Sequence, residues 1–529
     1  MRATKKNLLA RALLGAPSIA LTALLAASAQ AAAPGITGAT TNPVFNLDAK
    51  AAYVSQPDGA AIYTWGYGCS APPTAFAPGG MVGATCPDMQ LPGPTLIVTE
   101  GDNVTVNLTN ALPASAGNTS ILFPGFDVTA TGGVDGLLTK EAGVAGSVTY
   151  QFKANSVGTH AYYSGTQADL QIEMGLYGAI IVLPATIPGA CAAISTNDTA
   201  RAHDFGQGVE KDFRLARAAY DHSATCYDRE YLFELSTIDP KIHRAAEEIA
   251  GCTGTGCPQN MNSVETERYK PAYFLVNGRS MPDDMDPSYA SQYPHQPYNG
   301  NPHMHPGEVT LLRVIGQGRW QHPLHEHGNH VRILARDGNL LLAPKIINGE
   351  SEARLAGPLL FTTTSTPGQT LDGLFYWTGK GLNWDVFGHG YPGDTTPCVP
   401  DDNGYYTSDP TAQNYFEWCG DHDKPLESRP FGSVGSGGPM TLPDPNIVAN
   451  GAWYGGSPYL GGEATTRAVG STPIPPSGTV ANSPTDEAGF AFMWHSHNER
   501  EITTNNIFPG GMMMMMLVDP RAYKIDESK

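Results

Sequence analysis

The stretch "GPTLIVTEGDNVTVNLTN", residues 93–110, shows the pattern that decides the fold class. Leu, Ile, Val and Thr form two short runs, and Glu100, Gly101 and Asp102 lie between the runs as turn residues. In the second run apolar side chains alternate with polar ones, as they do in a strand that buries one face. The stretch therefore predicts two β-strands joined by a turn.

Similar runs recur along the chain, and each is bounded by Gly, Pro, Asn or Asp. They are "GSVTYQFKA", "GLYGAIIVLP", "PGEVTLLRVIG", "HVRILARDG", "GQTLDGLFYW", "FAFMWHSH" and "MMMMMLVDP". Long helical periodicity is nearly absent, and "RAHDFGQGVEKDFRLARAAYDH" (residues 201–222) is the main candidate for a helix or a linker. This pattern predicts an all-β protein built from sandwiches or barrels.

The strand pattern occurs twice, which predicts two domains at about residues 40–187 and 229–529, joined by a linker at 188–228. Residues 384–488 interrupt the second unit and are rich in Gly, Pro, Asp, Asn and Ser. A compact domain seldom contains so long an irregular stretch. We therefore expect a large insertion, which could lie over a site.

Residues 1–31 have a basic start, an apolar middle and a small-residue end, the pattern of a cleaved signal peptide. The alternative is an N-terminal membrane anchor, although Gly15 and Pro17 interrupt the apolar run. The interpretation as a signal peptide predicts a secreted or periplasmic protein. The formal charge of −19 argues against nucleic acid and against an anionic membrane as partners.

The chain has an even number of cysteines, which fits the disulfides of an oxidising compartment. They fall into four pairs that are close in sequence, so local disulfides are the simplest interpretation. A metal clip at Cys252 and Cys257 is the alternative for one pair. The eight residues are Cys69, Cys86, Cys191, Cys226, Cys252, Cys257, Cys398 and Cys419.

Five of the fifteen histidines lie in two tight clusters, "QHPLHEH" with His322, His325 and His327, and "WHSH" with His495 and His497. On an extended strand, residues i and i+2 point to the same side. Each His-x-His pair can therefore present two imidazoles in one direction, and neutral imidazole suits copper, zinc, iron and nickel. The alternative is a set of histidines held by hydrogen bonds without any metal.

Four stretches together resemble the multicopper oxidase family. "HPLHEHGNHVRILARDG" resembles a copper-binding stretch of that family, and "MWHSHNEREITTNNIFPGGMMMMM" resembles its closing stretch. "GTHAYYSGTQADLQIEMGLYGAIIVLP" and "PGPTLIVTEGDNVTVNLTN" resemble stretches of its first domain. The resemblance implies two cupredoxin-like Greek-key β-sandwich or barrel domains, with the long loop-rich insertion in the second.

In this family a three-copper cluster takes four histidines from the first domain and four from the last. The resemblance carries the last-domain ligands onto His325, His327, His495 and His497. The first-domain positions carry no histidine, and His160 lies three residues too early to replace one of them. The residues at those positions are Leu122, Pro124, Tyr163 and Gly165.

The family's blue copper takes two histidines and a cysteine. His322 matches the first histidine, but Ser496 stands at the cysteine and Glu501 at the second histidine. A serine hydroxyl is a hard ligand and cannot replace the soft thiolate. We therefore expect no blue copper, and His322 with Glu501 forms either a carboxylate–imidazole site or an ordinary hydrogen-bonded pair. Glu326 should point away from the histidines on either side of it.

The resemblance implies a copper-binding protein with oxidoreductase chemistry and an incomplete copper set of one or two ions. Zinc stays open as the metal, and a phenol or a metal ion stays open as the reductant. Solvent, a carboxylate or a neighbouring subunit could complete the shell, so a homo-oligomer stays open. The alternative is a catalytically silent protein that sequesters copper, or a structural, self-assembling one. The sequence does not decide whether the chain is an enzyme.

Two further motifs have less specific interpretations. "NPHMHPGE" contains His303 and His305, for which a surface or packing role is expected and capture of an external metal is the alternative. For the five methionines at residues 512–516 we expect packing in the core. The alternative is a site for Cu(I), because thioethers bind that ion.

Overall fold

The computed structural model describes most of the chain apart from its first segment and most of the expected insertion. The described residues are 32–192, 211–347, 350–380, 397–409, 416–420, 456–460, 488–519 and 525–528. The expected signal peptide at residues 1–31 lies outside them.

Among its described residues, the first half of the chain contains twelve strands, a short helix α1 (Ala168–Gln171) and a 3-10 turn (Ala114–Ala116). The strands are β1 (Gly35–Thr37), β2 (Val44–Ser55), β3 (Ala61–Cys69), β4 (Ala75–Ala77), β5 (Leu96–Thr99), β6 (Asn103–Asn110), β7 (Thr129–Gly132), β8 (Val134–Asp135), β9 (Lys140–Glu141), β10 (Ser147–Lys153), β11 (Gly158–Tyr163) and β12 (Tyr177–Leu183).

The second half contains helix α2 (Pro240–Ala250), a 3-10 turn (Asp283–Met285) and fifteen strands among its described residues. The strands are β13 (Arg229–Ile238), β14 (Tyr273–Val276), β15 (His303–Met304), β16 (Val309–Gly316), β17 (His322–Glu326), β18 (Val331–Arg336), β19 (Asn339–Leu340), β20 (Leu342–Ile347), β21 (Glu350–Leu355), β22 (Leu359–Leu360), β23 (Thr362–Ser365), β24 (Thr370–Tyr376), β25 (Gly456–Leu460), β26 (Ala488–Ser496) and β27 (Met513–Val518).

Two five-stranded sheets form the first sandwich, with strand orders β11-β12-β5-β1-β4 and β3-β2-β6-β10-β7. Inward-facing residues of both sheets share one core, for example Leu96 and Ile180 from one sheet with Trp65 and Tyr150 from the other. The expected strand pair of residues 93–110 is present as β5 and β6, although the two strands belong to different sheets. The turn between them therefore crosses from one face of the sandwich to the other.

Two larger sheets form the second sandwich. One has the order β14-β13-β16-β24-β18-β19, with β22 on β18, and the other has the order β15-β27-β26-β17-β23, with β25 on β26. Phe233 and Phe375 of the first sheet share a core with Leu324 and Trp494 of the second. The second sheet contains both histidine-bearing strands, β17 and β26, side by side.

All the predicted strand runs are confirmed, but the helix lies elsewhere than expected. Residues 211–222 of the candidate helix contain none, and residues 201–210 lie outside the described residues. Helix α2 follows Asp239, whose carboxylate accepts a hydrogen bond from the Lys241 N–H at 2.9 Å, and begins with Pro240. An Asp N-cap followed by proline at the first position is a common start for a helix.

The two sandwiches pack directly on each other. Ala161 and Ile181 of the first contact Leu232 and Ile315 of the second in one apolar cluster. A buried polar network lies beside this cluster and crosses the same boundary. Arg313 donates to Glu230 Oε2 at 2.9 Å and to Thr159 Oγ1 at 3.1 Å, and Thr159 Oγ1 donates to Asp372 Oδ1 at 2.6 Å. These contacts fix how the first sandwich sits on the second.

The expected local pairing of the cysteines is confirmed. The disulfides are Cys69–Cys86, Cys191–Cys226, Cys252–Cys257 and Cys398–Cys419. Cys252 and Cys257 are therefore not a metal clip. Among the described residues, no helix is long and apolar enough to cross a membrane.

A buried carboxyl at the boundary between the sandwiches gives a first prediction. Glu234 is 1% exposed, and burial raises its pKa from 4.5 to about 8. The folded protein thus holds a proton that the unfolded chain releases, so Glu234 costs stability as the pH rises from 4.5 to 8. We expect Glu234→Gln to gain stability over the unchanged protein by about 1.4 kcal/mol per pH unit across this window.

Thermal unfolding at pH 5 and pH 8 measures the effect. Glutamine has nearly the same shape as glutamate. It can also keep the contact with Gln317, whose Nε2 lies 2.8 Å from Glu234 Oε2. Glu248→Gln, on the exposed side of α2, is the matched control and should change nothing. The prediction would be wrong if the stability difference between Glu234→Gln and the unchanged protein were the same at pH 5 and at pH 8.

Candidate metal centre

The register of β17 on β26 brings the two histidine clusters together. The strands are antiparallel, with His325 opposite His495 and Leu324 opposite Ser496. Directly opposed residues project from the same face of a sheet, and that face alternates along the strand. The imidazoles therefore share one face, while Leu324 and Trp494 enter the core on the other.

Three imidazoles converge closely enough to share one ion. One ring nitrogen from each of His325, His327 and His495 lies within 4.8 Å of those of the other two. His327 Nε2 and His495 Nε2 are 3.2 Å apart. Two nitrogens bound to one tetrahedral ion at 2.0–2.1 Å would be about 3.3 Å apart. The two rings already have nearly that spacing.

The surroundings of the rings hold them neutral and oriented. His495 Nδ1 donates to the Ser496 carbonyl at 2.7 Å, which leaves the Nε2 lone pair directed at the cluster. His325 Nδ1 lies 2.7 Å from Thr362 Oγ1, a contact that orients the ring. Burial, and then the charge on neighbouring histidines, lowers the pKa of His325 to about 4, and burial lowers the pKa of His495.

His497 lies at the open side of this group. Its ring centroid is 4.7 Å from that of His325 and 5.8 Å from that of His495, and its side chain is 51% exposed. Its Nδ1 is 3.6 Å from Glu499 Oε1. The sequence-predicted ligands thus form three close imidazoles with a fourth at the edge.

The structure does not bring His322 to the same place. Its Nδ1 is 2.9 Å from Glu501 Oε2, and Ser496 Oγ donates to the same oxygen at 2.5 Å. Asn498 Nδ2 donates to Glu501 Oε1 at 3.0 Å, and His322, Ser496 and Glu501 are all 0% exposed. The position expected for a blue copper therefore contains a closed hydrogen-bonded group of serine, glutamate and histidine.

Glu326 is fully buried between the two sheets. Thr363 Oγ1 donates to its Oε1 at 2.7 Å, and burial raises its pKa to about 8. By strand alternation it projects from the face opposite His325 and His327, as expected. It is therefore not part of the cluster.

The first sandwich offers no imidazole at the family's ligand positions. Leu122 and Tyr163 pair through backbone hydrogen bonds, and the Leu122 side chain fills the space beside Gly165. Pro124 and His160 line a cleft of about 370 Å³ between the sandwiches, opposite Asp337. His160 Nε2 lies 2.8 Å from the Ser156 carbonyl oxygen. His160 is thus part of the boundary between the sandwiches.

The remaining His-x-His motif is a packing element. His303 and His305 are both 0% exposed, and His303 Nδ1 lies 2.6 Å from Asp519 Oδ2. His305 Nδ1 lies 3.1 Å from the Asp519 carbonyl oxygen. The expected packing role of His303 and His305 is confirmed, and both side chains lie in the core.

Sequence reasoning missed Thr362, which orients His325 from the neighbouring strand β23. An alternating run precedes Ser365, but nothing in it shows which hydroxyl faces an imidazole. Only the register of β17 on β23 shows that His325 lies opposite Thr362.

Comparisons with known proteins match part of the first half of the chain to copper oxidases. Residues 76–186 match the family model described as multicopper oxidase. The chain is 40% identical over 98 residues to multicopper oxidase MCE of Talaromyces pinophilus, and 32% identical over 136 residues to laccase abr2 of Aspergillus fumigatus. These segments cover 18% and 25% of this chain, and 15% and 22% of the two relatives, so the match spans about a fifth of each relative's length.

Solved structures also align over most of the chain. Multicopper oxidase mgLAC aligns over 92% of this chain and 88% of its own, with 15% identity and a TM-score of 0.44. The blue copper oxidase from Nitrosomonas europaea aligns over 89% and 85%, with 16% identity and a TM-score of 0.42.

The fold and the cluster define an all-β, cupredoxin-like protein with imidazoles gathered on one sheet face. Over the matched segment, residues 76–186, the chain is similar to multicopper oxidases.

The buried Glu501 group gives a second prediction. Glu501→Ala would leave His322 and Ser496 buried without their shared acceptor, so we expect a loss of about 3 kcal/mol in the free energy of unfolding. Urea unfolding measures it. Glu499→Ala, two residues away with a side chain that is 73% exposed, should cost less than about 0.5 kcal/mol. Equal stabilities for the two variants would show that the Glu501 group does not hold the strands together.

Proposed function

We propose that this chain is a secreted copper-binding protein that resembles multicopper oxidases and holds an incomplete copper set. His325, His327, His495 and His497 would bind one copper ion, or two if another ligand completes the shell. The observation that carries the proposal is the 3.2 Å separation of His327 Nε2 and His495 Nε2, with His325 beside them.

The donor set fits copper. Neutral imidazoles bind copper and zinc well, and the lowered pKa values of His325 and His495 keep both rings unprotonated at neutral pH. The hydrogen bond from His495 Nδ1 to the Ser496 carbonyl leaves Nε2 of that ring as the atom that would bind the metal. His497, at the edge, would close the shell or leave one position accessible to a small molecule.

When bound, copper supplies one-electron redox chemistry, and the protein decides how electrons reach it. The hard oxygens of Ser496 and Glu501 favour a site without a thiolate copper, because neither residue offers the thiolate that such a copper needs. Leu122, Pro124, Tyr163 and Gly165 likewise favour a first domain without copper ligands. We therefore propose oxidoreductase chemistry at one centre, with a phenol or a metal ion as the reductant.

Metal content tests the binding proposal. Copper loading of the full chain should retain about one ion per chain without an intense blue absorption band, because no thiolate ligand is present. The double variant His495→Ala/His497→Ala should retain almost none. His222→Ala, a histidine outside the cluster, should retain as much as the unchanged protein. An intense blue band with about four coppers per chain would overturn the proposed ligand set.

Turnover tests whether the bound copper is catalytic. An oxidase should consume oxygen with a phenolic or metal-ion reductant, and His497→Ala should abolish this because it removes the most accessible imidazole. Copper binding of full stoichiometry with no oxygen consumption would favour sequestration instead. If the protein retained no copper, both the oxidase and the sequestration proposals would be wrong, and a structural role for the fold would be favoured.

A further inference from the structure

The register of β26 on β27 places methionines directly beside the histidine cluster. The two strands are antiparallel, with His495 opposite Met513 and Met493 opposite Met515. Opposed residues project from the same face, with Cβ atoms about 4.5–5.5 Å apart. Since His325 is opposite His495 on the other side, one row across three strands contains imidazole, imidazole and thioether.

Strand alternation divides the run of five methionines into two groups. Met512, Met514 and Met516 are 0% exposed and belong to the core cluster that contains Phe492 and Trp494. Met513 is 3% exposed but lies outside that cluster, as do Met493 and Met515. The expected core packing is therefore confirmed for three of the five.

The second group continues away from the imidazoles along the same face. Met493 precedes His495 by two residues, and Met515 follows Met513 by two, so all three thioethers share the face of His495. The Met515 N–H lies 3.4 Å from Met285 Sδ, and Met285 packs against the core cluster rather than joining this group. Methionine has a long, unbranched side chain, so its sulfur can reach a neighbour's ligand position.

We propose that Met493, Met513 and Met515 form, beside His495, a binding site for Cu(I). This proposal rests on the proposed copper function of the histidine cluster. It deepens that function, because it names the reduced ion, Cu(I), as the species that the site binds. Thioethers are soft, uncharged ligands that select Cu(I), whereas Cu(II) and zinc prefer imidazole or harder donors. Because thioethers carry no proton to displace, Cu(I) would bind to them without the release of a proton.

The experiment is an anaerobic titration of the metal-free full chain with Cu(I), in competition with a coloured Cu(I) chelator. Met513→Leu keeps the volume of the side chain but removes the sulfur. We expect it to weaken Cu(I) binding at least tenfold, with a larger loss in Met493→Leu/Met513→Leu/Met515→Leu. Binding of Cu(II) should change less than twofold. Met514→Leu, on the core face of the same strand, is the matched control and should bind Cu(I) like the unchanged protein.

X-ray absorption of the Cu(I)-loaded protein gives a readout that is independent of affinity. Sulfur should appear in the copper shell of the unchanged protein and of Met514→Leu, and should be lost in the triple variant. Equal Cu(I) affinity in the unchanged protein and the triple variant, or a shell without sulfur, would overturn the thioether site while leaving the histidine site intact. Failure of the unchanged protein to bind either Cu(I) or Cu(II) would instead overturn the proposed function.

Discussion

The register between β17 and β26 is the constraint on which the site depends. His325 faces His495 across this pair, and because side chains alternate, the same register sends Leu324 and Trp494 into the core. A shift of one residue would bury the imidazoles and expose the core residues, so the fold strongly disfavours it. The histidines are therefore held together mainly by the burial of the apolar side chains that alternate with them on the same strands.

The Glu501 group acts on the same two strands from the opposite face. Glu501 accepts hydrogen bonds from Ser496 on β26 and lies 2.9 Å from His322 on β17. A buried carboxylate is costly unless it is well satisfied, and here three neighbours share it. At position 496, where a cysteine would be a soft metal ligand, the chain has a serine whose hard hydroxyl oxygen is hydrogen-bonded to Glu501. The sheet thus carries the clustered imidazoles on its outer face and the hydrogen-bonded group of Glu501 on its inner face.

The first sandwich contributes position rather than ligands. Its strand β11 packs against the second sandwich through Ala161, and Thr159 joins the network around Arg313 and Asp372. The charged members of this network all belong to the second sandwich, and Thr159 gives Arg313 and Asp372 one more hydrogen-bond partner each, which another arrangement of the sandwiches would remove. Leu122 and Tyr163 of the first sandwich pair with each other, and the clustered imidazoles of His325, His327 and His495 all come from the second sandwich.

The sequence by itself determined the strands, the two His-x-His pairs, the local disulfides and the absence of a cysteine at Ser496, because alternation, turn residues and residue identity are local properties. It did not locate α2, although Asp239 and Pro240 mark its start. Only the tertiary structure decided that His322 joins Glu501, that Thr362 orients His325, and that Met513 lies beside His495. Each of these contacts joins separate segments of the chain, and His322 and Glu501 are 179 residues apart. The physical reason is that cross-strand register results from the packing of whole sheets, and no short stretch of sequence contains it.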